Sequence, residues 1–179
     1  MEFCDAGKHK KEIKKLYKTA FPRNERAPLP LLFKRTNNGR DSFYAVLENG
    51  EFLGLVYTIA AEKMVYVFFL AVKEEKRGRG YGTRILEKIR ETNPHKIIAL
   101  LIEDTEDVTA KNFDERIKRL EFYESNGFKR LNIKINEAGV AYELLGTDLN
   151  ITQADFLFLM KNWLGIFLFK IIYRKTKFI

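Results

Sequence analysis

Apolar positions along the chain switch repeatedly between a helical period near 3.6 and a strand period near 2, which predicts alternating helices and strands. After a short first strand over residues 1–4, Ile13, Leu16, Tyr17 and Ala20 recur at helical spacing among lysines, until Phe21-Pro22 ends an amphipathic helix. Pro28 and Pro30 punctuate a loop before Leu31, Leu32 and Phe33, where a second, short helix fits. Residues 42–47 and 51–59 are rich in aromatic and β-branched side chains and flank Glu48-Asn49-Gly50, the sequence of a tight antiparallel hairpin. Residues 64–72 form an apolar run suited to a buried strand, and the chain then turns abruptly charged and glycine-rich. Ile85, Leu86 and Ile89 mark a helix over residues 83–92 that Asn93-Pro94 stops, and residues 96–103 read as another buried strand. Phe113, Ile117, Leu120 and Tyr123 give a further helix over residues 112–126, with Gly127 as its left-handed cap. Residues 128–135 and 140–145 then read as a closing antiparallel pair.

Composition narrows the class. A chain of 179 residues closes one sizeable core and is short for two ordinary domains. With 46% hydrophobic and 31% charged residues it lies outside the range that prevents collapse. Cys4 is the single cysteine, so there is no intramolecular disulfide, in keeping with a cytoplasmic location. His9 and His95 stand apart from it and from each other, and no metal site is expected. The N-terminus lacks the apolar stretch of a secretory signal. The formal charge of +8 favours a polyanionic partner of some kind: nucleic acid, a membrane surface or a phosphorylated cofactor.

The chemistry begins where the apolar run at 64–72 meets Arg77-Gly78-Arg79-Gly80-Tyr81-Gly82. A turn that leaves a buried strand and enters a helix presents unpaired N–H groups at the positive end of the helix dipole. Gly78, Gly80 and Gly82 allow positive φ and close backbone approach, while Arg77 and Arg79 add charge, so the turn is suited to a diphosphate. The turn has no Gly-Lys-Ser/Thr ending and follows a mid-chain strand, unlike nucleoside-triphosphate loops and first-strand dinucleotide turns.

Phe69-Leu70-Ala71-Val72, Arg77-x-x-Gly80-x-Gly82, the strand ending at Glu103 and Phe122-Tyr123-Glu124-Ser125-Asn126-Gly127-Phe128, in that order, resemble the GNAT superfamily of N-acetyltransferases. The resemblance in element order covers about residues 1–145. It implies a mixed α/β (α+β) fold of the acyl-CoA N-acyltransferase type, a mostly antiparallel central sheet flanked by helices. It also implies acetyl-CoA as cosubstrate, with Leu70, Ala71 and Val72 along its pantetheine arm and Arg77, Gly78, Arg79, Gly80, Tyr81, Gly82 and Thr83 around its pyrophosphate. The activity implied is acetyl transfer to a primary amine by direct attack through a tetrahedral intermediate. By the same resemblance Tyr123 is the acid that returns a proton to the departing sulfur, Glu103 is a candidate general base, and Glu25 lines the acceptor pocket. On helical spacing alone, without the flanking motif, Tyr123 reads as one more core aromatic on the Phe113, Ile117 and Leu120 face. The chain departs from the family where an asparagine and a small residue commonly precede the tyrosine by seven and four positions, since Arg116 and Arg119 stand there.

The competing functional readings are an acyl-CoA-binding module without turnover and, last, a nucleic-acid-binding protein, for which the spread of basic residues and the want of an RNA-binding aromatic signature leave little support. No nucleic acid is therefore expected, and the amine acceptor is left open. Residues 1–149 read as the transferase domain and 150–179 as a C-terminal helical extension. From Phe156 to Tyr173 the chain is apolar, but Lys161, Asn162 and Lys170 interrupt it, against a membrane-spanning helix. Phe156, Leu159, Met160, Trp163, Leu164 and Phe167 share a helical stripe ahead of Arg174-Lys175-Thr176-Lys177. Such a stripe fits docking on the domain, a homodimer contact or a weak contact with a membrane surface.

Overall fold

The computed structural model describes residues 1–137, 140–166, 169 and 177–178. It has the mixed α/β architecture expected, with mostly antiparallel strands flanked by helices. The chain forms two compact units, Met1–Ala60 with Tyr66–Pro94 and Ala61–Val65 with His95–Ile179.

In the first unit, β1 (Glu2–Asp5) is followed by helix α1 (Lys10–Ala20), helix α2 (Leu29–Arg35), strands β2 (Asp41–Glu48), β3 (Glu51–Ala60) and, from Tyr66 on, β4 (Met64–Val72), and helix α3 (Tyr81–Thr92). Strand order is β1-β2-β3-β4. The β2–β3 hairpin closes through Asn49 (φ 51°) and Gly50 (φ 77°), both left-handed as a right-twisted two-residue turn requires. Helix α1 buries Ile13, Leu16 and Tyr17, the stripe that its spacing predicts. Tyr17 and Phe21 pack with Phe69 of β4 at ring-centroid distances of 4.9 to 5.3 Å, so the chain leaving α1 is pinned to that strand by aromatic contacts. Buried Asp41 accepts from Tyr57 Oη, from Arg35 Nε at 3.0 Å and from Asn38 Nδ2 at 3.2 Å, which ties the end of α2 to the sheet. Gly54 of β3 lies so close to β4 that a Cβ would stand 2.4 Å from the Ala71 carbonyl oxygen, leaving room for no other residue.

The second unit contains β5 (Ile97–Glu103), α4 (Phe113–Ser125), β6 (Lys129–Glu137), β7 (Val140–Gly146), α5 (Gln153–Leu164) and β8 (Lys177–Phe178), with strands in the order β5-β7-β6-β8 and each of these pairs antiparallel. Glu143 of β7 is 1% exposed and is matched by the guanidinium of Arg130 on β6 in a two-pronged ion pair. The Thr152 hydroxyl accepts from the Asp155 amide, and the Asp155 carboxylate accepts from the Thr152 amide, a capping box that starts α5. Phe156, Leu159, Met160 and Trp163 of the apolar stripe are buried. Phe167, Lys170 and Arg174-Lys175-Thr176 lie outside the described residues. Lys177, the last residue of the basic run, pairs with Asn136 in the two-residue strand β8, which is too short to show a period in sequence. Among the described residues no helix is long and apolar enough to cross a membrane.

Because Phe156 has no exposed surface, Phe156→Ala is expected to lower unfolding free energy by about 3–5 kcal/mol, measured by urea denaturation. An unchanged midpoint would show that the helix contributes nothing to the core.

Candidate active site

The strand-to-helix turn after β4 takes the backbone form its glycines permit. Gly78 (φ 71°) and Gly80 (φ 76°) are both left-handed, and Gly80 is the N-cap of α3. No side chain caps the helix, and its first turn contains no acid, so the amides of Tyr81, Gly82 and Thr83 have no side-chain acceptor at the positive end of the dipole. Arg77 and Arg79 are exposed around the turn, with Arg77 Nε donating to the Val72 carbonyl at 3.2 Å. Lys76 pairs with Glu51 at 2.7 Å and Arg84 with Glu48, contacts that fasten both flanks of the turn to the β2–β3 hairpin. One expectation needs correction. The helix starts at Tyr81, two residues earlier than its apolar spacing suggests, so Gly82 lies inside α3 and does not adopt positive φ. What Gly82 contributes is a missing side chain in the first helical turn.

In the second unit, the end of β5 and the start of α4 share a polar cluster. Asn112 Nδ2 donates to both oxygens of Glu103 at 3.0 and 3.1 Å, Arg119 Nη1 lies 2.7 Å from it and Arg116 Nη2 3.2 Å. Arg116 is buried, and its remaining donors reach Asn112 Oδ1 at 3.0 Å and the Asp104 carbonyl at 2.9 Å. Lys134 meets Asp104 at 3.1 Å. The arginines at 116 and 119 are therefore counterparts of Glu103. Burial pushes the Glu103 carboxyl up, but the hydrogen bonds from Asn112 and Arg119 and the two guanidinium charges outweigh it and hold the group below the usual carboxylate range.

Tyr123 sits at the other end of α4, where the chain closes in a Schellman motif. The Phe128 amide donates to the Tyr123 carbonyl at 3.0 Å, the Gly127 amide to Glu124 at 2.9 Å, and Gly127 is left-handed at φ 76°. The Tyr123 and Phe128 rings pack edge to face at 5.5 Å, the apolar contact that accompanies such a cap. The Tyr-x-x-x-Gly-Phe spacing thus has a local structural cause, whatever the phenol does. Burial pushes that phenol up to about 12, against the charge of Arg119, so it is protonated at neutral pH. Glu25 ends the short 3-10 turn Arg23–Glu25 in the first unit, in the segment that joins α1 to α2. Leu70, Ala71 and Val72 form the last residues of β4, Ala71 and Val72 buried and Leu70 partly exposed.

A family model for the acetyltransferase (GNAT) domain matches residues 39–130, more than half the chain. The chain belongs to the GNAT acetyltransferase family. Solved structures agree in fold. A GNAT-family protein from Bacteroides thetaiotaomicron superposes with a TM-score of 0.71 at 20% identity, over 94% of this chain and 98% of that one. An aminoglycoside 6'-N-acetyltransferase in complex with coenzyme A gives 0.65 at 17% identity, over 85% and 99% of the two chains. The aminoglycoside 6'-N-acetyltransferase of Enterococcus faecium gives 0.63 at 18%, over 84% and 97%. No curated protein matches the sequence.

The Glu103 cluster makes a prediction about acid stability. Because the folded pKa is depressed, the stabilisation is complete above the unfolded value of about 4.3 and is lost as pH falls through the lower folded value. Glu103→Gln leaves Arg116 buried without its carboxylate and is expected to cost about 3 kcal/mol at neutral pH. The difference from the wild type should shrink below about pH 4.3 in denaturation curves recorded across pH. A pH-independent difference would locate the cost in packing instead.

Proposed function

We propose that this GNAT-family chain is an N-acetyltransferase that takes an acetyl group from acetyl-CoA and gives it to a primary amine, through direct attack and a tetrahedral intermediate. The observation that carries this reading is the uncapped start of α3, opened by left-handed Gly78 and Gly80 and bordered by Arg77 and Arg79. Unpaired amides and guanidinium groups of that kind suit a pyrophosphate. The coenzyme A complex of the similar aminoglycoside 6'-N-acetyltransferase supports the choice of ligand.

In this reading Arg77 to Thr83 hold the pyrophosphate, and the β4 backbone from Leu70 to Val72 guides the pantetheine. The amine nitrogen adds to the thioester carbonyl carbon, and the carbonyl electron pair moves to oxygen. A backbone N–H near Leu70 stabilises that oxyanion, an interaction worth about 3 kcal/mol where one such donor has been removed elsewhere. Collapse breaks the C–S bond, the Tyr123 phenol supplies the proton to sulfur, and the nitrogen gives up its own proton, which restores the phenol. Glu25, by its place between α1 and α2, is assigned to the acceptor side. Glu103 we assign to holding α4. A carboxylate engaged by Asn112, Arg116 and Arg119, with its pKa held low, is a weak base with its lone pairs already committed. That commitment also favours a second reading, a coenzyme-binding module without turnover. Release of free coenzyme A thiol with any member of an amine panel decides between them.

Two substitutions probe the assigned roles. Gly80→Val forces a β-branched residue into left-handed φ and crowds the phosphate, so acetyl-CoA affinity measured by calorimetry should fall at least about 10-fold in a folded variant. Wild-type affinity would remove the turn from the coenzyme site. Tyr123→Phe preserves the ring that packs on Phe128 and removes only the hydroxyl. With an accepted amine, kcat should drop by about 10² to 10⁴ while acetyl-CoA affinity and melting temperature stay near wild type. Unaltered kcat would leave Tyr123 with its capping role alone.

A further inference from the structure

Basic residues are spread along the whole chain, but their excess is not. Residues 8–40 hold eleven lysines and arginines against two glutamates, a larger net positive charge than the +8 of the entire chain. Much of it lies on one surface. Lys10, Lys11, Lys14, Lys15 and Lys18 of α1 are all exposed, and at 3.6 residues per turn they fall within an arc of about 140°. Ile13, Leu16 and Tyr17 take the opposite side and are buried.

This arc has no counter-charge of its own. Glu12, the one acid of α1, lies 3.8 Å from His9 Nδ1. Lys10 stands 5.5 Å over the Phe33 ring, and among the described residues Lys8, Lys11, Lys14, Lys15 and Lys18 have no acidic partner. Lys10 and Lys14, Lys11 and Lys15, and Lys14 and Lys18 are neighbours one helical turn apart, where like charges weaken a helix. Elsewhere the chain pairs its cations, as at Arg84, Arg116, Arg130 and Lys134. A repelling row kept clear of acids suits a polyanion that arrives from outside.

From Lys10 to Lys18 the helix rises about 12 Å, a length over which a nucleic-acid duplex carries about seven phosphates. A bilayer fits less well. A helix that binds lipid keeps its apolar side for the acyl chains, whereas that of α1 is committed to the core, and the exposed large apolar residues Val108, Leu149, Phe158 and Ile166 all lie outside residues 8–40. Nor does the exposed face of α1 carry an aromatic ring on which the bases of a single strand could stack.

We propose that the lysine face of α1 is a docking surface for the phosphate backbone of double-stranded nucleic acid, DNA and RNA alike, because lysines read charge rather than bases. Such docking departs from the expectation drawn from sequence, where the basic residues read as spread rather than gathered on one helix face. It is independent of the transferase reading, and acetyl-CoA is absent from its test.

A labelled duplex of about 20 base pairs, titrated with the full chain and followed by fluorescence anisotropy, provides that test. At about 50 mM salt the dissociation constant should be micromolar, and log K should fall against log salt with a slope of about −4, as for four or five phosphates neutralised. Two duplexes of unrelated sequence should bind alike. Lys11→Gln, Lys14→Gln, Lys15→Gln and Lys18→Gln combined in one variant should weaken binding at least about 10-fold and flatten the slope by about 3, with a melting temperature no lower than wild type and unchanged acetyl-CoA affinity. The lighter pair Lys14→Gln with Lys18→Gln should flatten it by about 2. As a control, Lys111→Gln, Lys118→Gln, Lys129→Gln and Lys161→Gln remove the same charge from exposed positions of the second unit and should leave the affinity within about 2-fold. No binding at the lower salt, an α1 variant that binds like the wild type, or a control that loses as much overturns the docking surface. Displacement of the duplex by vesicles containing about one-third phosphatidylserine, at equal phosphate concentration, would assign the face to a membrane and overturn it as well.

Discussion

The fold depends on what happens to backbone amides where β4 gives way to α3. A helix that begins without a side-chain cap leaves N–H groups unsatisfied, and nothing in the first turn of α3 neutralises them. Such an opening persists only if water or a ligand accepts those bonds and if the surrounding chain holds the turn in shape. The surroundings do hold it. Lys76 and Arg84 are tied to acids at the two ends of the β2–β3 turn, and Gly54 lets β3 approach the carbonyl of Ala71 more closely than any side chain would allow. The close approach before the turn and the ion pairs on either side of it act on one short stretch of main chain, whose amides are left available.

A different balance governs α4. Its N-terminus is fixed by charge, through Arg116 and Arg119 on Glu103, and its C-terminus by backbone geometry, through the Schellman cap at Gly127. Removing one partner of a buried ion pair leaves the other uncompensated, so this kind of anchoring is stiff but sensitive to acid. The capping end is held by main-chain hydrogen bonds instead of by an ion pair. The phenol of Tyr123 is carried at the end whose position is set by hydrogen bonds between main-chain groups and by ring packing on Phe128.

Much of this was legible in the sequence because the underlying signals are local. Asn49-Gly50 dictates a two-residue hairpin, runs of aromatic and β-branched residues mark β2 and β3, and the glycine pair at 78 and 80 marks the left-handed turn. The exact start of α3 was not legible, since glycine at its second position has no side chain to contribute to a periodic pattern. Arg116 and Arg119 could be seen as departures from the family but not explained, because their partner Glu103 lies on another element and the pairing follows from tertiary structure.

The excess positive charge can now be divided by location. Arg116, Arg130 and Lys134 are absorbed by buried or half-buried acids and report on folding. Arg77 and Arg79 surround amides that lack side-chain acceptors, where their charge adds to the helix dipole and favours an anion with several oxygens. Composition treats these cations as one quantity, but burial and partner choice separate them into stabilising pairs and a phosphate-suited turn, each demanding a different explanation.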